Sequence, residues 1–129
     1  MDSSIKVSIL VPIYNVENYI GKCLDSIFIQ SYTNVEYVFV DDCSTDSSLQ
    51  VLKSKLTEYS IPSDKYTILC HTENQGIAQT RIDLLSEAKG DYIQFIDSDD
   101  WIEKDMMVQM VEATDNGKID IVGCDYNEI

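Results

Sequence analysis

Short runs rich in β-branched and aromatic residues recur along this chain, and between each pair lies a stretch whose apolar residues fall every three or four positions. Residues 6–12, 35–40, 66–70, 92–96 and 119–124 read as strands. Ile20, Cys23, Leu24, Ile27 and Phe28 form one helical stripe running to about Gln30, with Asn15 as its N-cap; Leu49, Leu52, Leu56 and Tyr59 form the next. Ser44-Thr45-Asp46 supplies caps for that second helix, and Pro62 closes it. Ile77, Arg81, Leu84, Leu85 and Ala88 lie on one side of a third, which Asn74-Gln75-Gly76 introduces and Gly90 caps at its C-terminus. Met106, Met107, Met110 and Val111 mark a fourth. Strand and helix alternate throughout, so the expected fold is α/β: a Rossmann-like, doubly wound, mostly parallel sheet with helices on both faces.

The chain has 129 residues, 44% of them hydrophobic, which is enough for one sizeable core, and a single domain over residues 1–129 is expected. A formal charge of -14 argues against a nucleic-acid partner and against an anionic membrane surface, since both want clustered Lys and Arg. An anionic ligand would arrive with a divalent cation or meet a local patch of donors. The four cysteines, Cys23, Cys43, Cys70 and Cys124, form no metal-ligand spacing and read as small buried hydrophobes of a reducing compartment. No signal sequence is expected, since the first residues show no basic-then-apolar pattern, and no apolar run approaches the roughly 20 residues that span a bilayer. The expected location is cytoplasmic, with the full-length protein peripheral at the inner face of a membrane.

Ligands of such sheets sit beyond the carboxyl ends of the strands. Polar residues gather there: Pro12-Ile13-Tyr14-Asn15 after the first strand, Asp41-Asp42 after the second, and Asp97-Ser98-Asp99-Asp100-Trp101 after the fourth. Alternate residues of an extended chain share a side, so Asp97 and Asp99 are placed to converge on one cation. The competing reading is a solvated acidic turn or a helix cap.

In this order and context, Val7-Ser8-Ile9-Leu10-Val11-Pro12-Ile13-Tyr14-Asn15, Val40-Asp41-Asp42-Cys43-Ser44-Thr45-Asp46, Asn74-Gln75-Gly76 and Asp97-Ser98-Asp99-Asp100-Trp101 resemble the motifs of family 2 glycosyltransferases of the GT-A fold. The resemblance implies a nucleotide-sugar donor, commonly linked through UDP, and a saccharide or other hydroxyl acceptor, with inversion at the sugar. It places Pro12, Tyr14 and Glu17 along the nucleoside pocket, Asp42 on the base and Asp41 beside it. Asp97, Ser98 and Asp99 then correspond to the D-x-D element, with Asp99 and Asp97 as ligands of Mn²⁺ or Mg²⁺ and Asp100 assisting. Carboxylates are the oxygen ligands a hard cation prefers, and such a cation stabilises the charge on a departing diphosphate.

Simpler roles stand beside these. Glu17 suits the start of a helix, Asp42 a helix cap, Tyr14 packing beneath a loop, Arg81 a helix-surface ion pair, Trp101 a packing anchor and His71 a structural position. Two departures from the family pattern matter. Cys43 stands where the family usually has glycine, which implies strain if the turn needs a positive φ. Ile82 follows Arg81 where the family often has asparagine. The family's catalytic base and acceptor pocket lie well beyond the metal motif, so the base is expected beyond Ile129 and none is named. A receiver-type signalling domain is the rival class, but it would need an acidic pair after the first strand, where this chain has Pro12. A non-catalytic nucleotide-binding module is the third reading.

Overall fold

The computed structural model describes residues 4–114. Four parallel strands, β1 (Val7–Ile13), β2 (Val35–Asp41), β3 (Tyr66–Cys70) and β4 (Tyr92–Phe95), form one sheet in the order β3-β2-β1-β4. Helices α1 (Ile20–Phe28), α2 (Ser48–Glu58), α3 (Ile77–Glu87) and α4 (Met106–Ala113) connect or follow them. The strand expected over residues 119–124 lies outside the described residues.

Every residue of β1 and β2 is buried, because both faces of these central strands are covered. Side chains alternate across the sheet. Val7, Ile9, Val11 and Ile13, with Val35, Tyr37 and Phe39, pack against α1, α2 and α4, while Leu10, Val38 and Val40 pack against Leu84 of α3. Helices therefore cover both faces, as the alternation of sequence patterns requires.

Three local expectations are corrected. Asn15 is not a cap: α1 starts at Ile20, and Asn15 adopts φ 50° in the loop before it. Its side-chain oxygen accepts from Thr45 N at 2.8 Å, so a tertiary partner selects a left-handed turn that asparagine tolerates. Gly90 is not the C-cap of α3, which ends at Glu87 and has Ala88 as its cap. Glycine is required there because a Cβ would stand 2.6 Å from Ser8 Oγ and 2.8 Å from Lys6 O. Nor do all the cysteines behave as small buried hydrophobes. Cys23 is buried, Cys43 is partly so and Cys70 is exposed at the end of an edge strand, while Cys124 lies outside the described residues.

Pro12 does not stop β1, which continues to Ile13. Asp42 N donates to Ile13 O on the β2 side, whereas Ile96 N donates to Leu10 O on the β4 side. Odd residues of β1 thus bond β2 and even residues bond β4. The position of Pro12 faces β4, whose ladder has already ended at Leu10↔Phe95, so the missing N–H removes no sheet bond. Past that point the two strands part.

Candidate active site

The strand order locates the cleft. The chain builds outward from β1 through β2 to β3, then crosses back to lay β4 on the other side of β1, so the order reverses between β1 and β4. A crevice at such a reversal is where open α/β sheets bind ligands. Here it is flanked by the loop after β1 and the acidic loop after β4.

The loops after β1 and β2 are knitted together. Asn15 N donates to Ser44 Oγ at 3.0 Å, and Ser44 Oγ donates to Asp41 Oδ1 at 2.5 Å. Glu17 N donates to Asp46 Oδ2 at 3.2 Å, Ser47 N donates to Glu17 Oε2 at 3.1 Å, and Val16 N donates to Ser48 Oγ at 2.8 Å. Asp46 also accepts from Ser48 N at 2.9 Å, giving the start of α2 the acceptor that its sequence promised. Glu17 is exposed, and its carboxylate serves the turn before α2 rather than its own helix. Pro12 and Asp41 are buried and Tyr14 is 47% exposed, so Tyr14 stands out from this frame and is not packed beneath it.

Asp42 is buried and engaged. It accepts from His71 Nδ1 at 2.8 Å and Gln75 N at 2.7 Å on one oxygen, and from Gly76 N at 3.0 Å on the other. The carboxylate therefore ties the loop that leads into α3 to the end of β2, ahead of the helix itself. Burial alone would raise its pKa, but the Gln75 N–H, His71 and the Gly76 N–H together hold it below the usual range.

The acids after β4 are gathered by a turn rather than by extended alternation. Asp100 N donates to Asp97 O at 3.0 Å, Ser98 turns inward and is buried, and Asp97, Asp99 and Asp100 all remain exposed. One carboxylate oxygen from each lies within 4.8 Å of the others. Partial burial, then the charges of Asp99 and Asp97, push the Asp100 pKa up. Three hard oxygen donors that repel one another fit a divalent cation. Arg81 Nη2 stands 3.9 Å from Asp97 Oδ1, so its partner belongs to the acidic loop and not to its own helix.

Helix α1 holds this loop from beneath. Ser26 Oγ accepts from Ile102 N at 3.1 Å, and Gln30 donates to Glu103 O at 2.7 Å and accepts from Met107 N at 3.0 Å. Cys23 Sγ lies 3.7 Å from Asp97 O, and burial, reinforced by Asp100, Asp99 and Asp97, pushes its pKa up to about 12. That thiol stays neutral. Trp101 is 38% exposed and carries Lys22 Nζ 4.6 Å from its ring centre, a cation–π contact rather than a core anchor. Sequence reasoning missed Ser26 and Gln30. A signal existed for Ser26, a polar residue on the buried face of α1, whereas Gln30 lies just past the end of that helix.

Comparison with known proteins bears on the family and the fold. Residues 8–128 match the model described as glycosyl transferase family 2. Glycosyltransferase GlyA of Streptococcus pneumoniae is 40% identical over 121 residues, 94% of this chain but 17% of that protein. The crystal structure of S. aureus TarS residues 1–349 in complex with UDP superposes with a TM-score of 0.77 at 34% identity, covering 87% of this chain and 32% of the other. A mannosyltransferase from Pyrobaculum calidifontis in complex with GDP-Man and Mn²⁺ gives a TM-score of 0.76 at 28% identity, covering 88% and 34%. The chain thus spans about a third or less of each of these proteins. Nothing in these likenesses supports the receiver alternative. The sheet order, the acidic turn at its reversal and these matches agree: the fold is of the GT-A type, and the chain belongs to glycosyltransferase family 2.

Proposed function

We propose that this chain forms the nucleotide-sugar-binding part of an inverting glycosyltransferase that takes a UDP-linked donor with Mn²⁺ or Mg²⁺. The observation that carries the reading is the convergence of Asp97, Asp99 and Asp100 at the reversal between β1 and β4, with Arg81 facing Asp97. Asp99 and Asp97 hold the cation and, with Ser98, face the diphosphate and ribose. Pro12, Tyr14, Glu17, Asp41 and Asp42 form the nucleoside side, where Tyr14 has the exposure to stack on a base.

When bound, the cation supplies Lewis-acid stabilisation of the departing diphosphate. The chain's own residues bind and orient. Arg81 has a natural second partner in the phosphates, and exchanging Asp97 for them would free that carboxylate for the metal. The acceptor hydroxyl needs a general base, and none of the residues named here is assigned that role. The support for UDP and for a metal comes from the chemistry of the carboxylates and from the complexes of the related structures.

Calorimetry with UDP, with and without Mn²⁺, tests the reading on this chain and on Asp99→Ala. The expected result is binding that depends on the metal and weakens at least about tenfold in the variant, about 1.4 kcal/mol. Equal binding in a chelator, or no binding of uridine nucleotides at all, overturns it.

A further inference from the structure

His71 is the sole histidine of the chain, and both of its ring nitrogens face carboxylates. Nδ1 lies 2.8 Å from Asp42 Oδ1 and Nε2 lies 2.6 Å from Asp83 Oδ2, with the imidazole buried and Asp83 steadied by Gln79 Nε2 at 2.9 Å. A neutral imidazole has one N–H and could serve only one of these acceptors, so the double grip favours the cation. The charged groups acting on it are Asp42 from the end of β2 and Asp83 from α3. An ionised carboxylate offers about four acceptor sites, and Asp42 fills three of them, with His71 Nδ1, Gln75 N and Gly76 N. About one remains.

We propose that His71 is a positioning residue for donor recognition: clamped by Asp83, it holds Asp42 so that its remaining acceptor site receives the imide N–H of a uracil. This rests on the donor reading above and adds a requirement to it. Imidazolium also keeps Asp42 ionised, as an acceptor must be. A base presenting an acceptor at that edge would meet a carboxylate with no proton to give, so the same arrangement selects for uracil.

The sign of the pH dependence follows. The hydrogen bond to Asp42, acting against burial and joined by Asp83, raises the His71 pKa, so the array is complete at and below the ordinary histidine range and is lost as pH rises through the raised value. On the acid side, the lowered pKa values of Asp42 and Asp83 keep it intact until pH falls through them. Uridine affinity is then highest from mildly acidic to neutral pH.

The test measures UDP affinity in Mn²⁺ by calorimetry from pH 6 to 8.5 for the unmodified chain, His71→Gln and Asp83→Asn, beside an NMR titration of the single imidazole in untagged protein. His71→Gln is expected to bind about tenfold more weakly at neutral pH and with a flattened pH profile. Asp83→Asn is expected to move the alkaline fall to lower pH. By reciprocity, saturating UDP raises the imidazole midpoint of the unmodified chain, a readout that stands even if a variant fails to fold. Unchanged affinity and slope in His71→Gln, or a midpoint indifferent to UDP while UDP binds, overturns the role of His71 alone. Failure of the unmodified chain to bind UDP at every pH overturns the donor reading and this inference with it.

Discussion

Cys43 sits at φ 61°, in the region where a side chain crowds its own backbone at a cost of roughly 1–2 kcal/mol. Sequence alone pointed to this position, because glycine is usual there in the family that the motifs resemble. Cys43→Gly removes the crowding but adds about 0.5–1 kcal/mol of backbone entropy, so a net gain of up to about 1 kcal/mol is expected in urea denaturation. A loss would mean that the Sγ contact with Thr72 O at 3.7 Å outweighs the strain. Other residues were not legible at this scale. Asparagine suits both an N-cap and a left-handed turn, and Thr45, 30 positions away, decides between them for Asn15. His71 reads as a lone polar residue after a strand because its partners stand 29 and 12 residues off.

Among the elements, α1 was legible because burial of one face imposes a period, and β1 and β2 because burial of both faces leaves nearly continuous apolar runs. Their ends were less so, since ends are set by what the next element offers. The turn after α3 is one case. Gly90 N donates to Ser8 Oγ at 2.8 Å, Ser8 Oγ donates to Glu36 Oε2 at 2.5 Å, and Glu36 also accepts from Lys89 N at 2.6 Å. A buried glutamate on a central strand thus organises the approach to β4, which explains a charge inside an otherwise apolar run. Gly90→Ala would drive a methyl into Ser8 and the backbone of Lys6, with no flexible chain end to yield. The expected cost is about 2–4 kcal/mol, read as a lower denaturation midpoint with an unchanged m-value. A cost below about 0.5 kcal/mol would show that β1 and the turn can separate without loss. Pro12 is the complementary case: it looks like a terminator in sequence, yet it lies within β1 where the sheet opens toward the ligand cleft.

For the molecule as a whole, sequence disclosed the alternation and the polar strand ends, and so the class of fold and the rim of the site. It did not disclose that a turn, rather than alternation, collects the acids, or that α1 braces their loop through Ser26 and Gln30. Three clustered carboxylates within a net charge of -14 are a standing cost to stability without a counter-ion. Asp99→Asn is therefore expected to raise Tm in a chelator while shrinking the rise that Mn²⁺ produces, which mass action sets at about 2.7 kcal/mol for metal at 100 times its Kd. Scanning calorimetry with and without Mn²⁺ checks both signs, and a variant that loses stability in the chelator and keeps the full Mn²⁺ response contradicts the assignment of Asp99.

Strand β1 also sets an order of events in synthesis. Its β2 edge can be filled once the α1 crossover has been made, but its other edge waits for β4, whose approach is tied to Lys6 by Asp91 across 85 residues. As the polypeptide leaves the ribosome, the loops after β1 and β2 can take shape first and the acidic turn only after nearly a hundred residues have emerged. The three acids are therefore brought together only after the rest of the rim is in place.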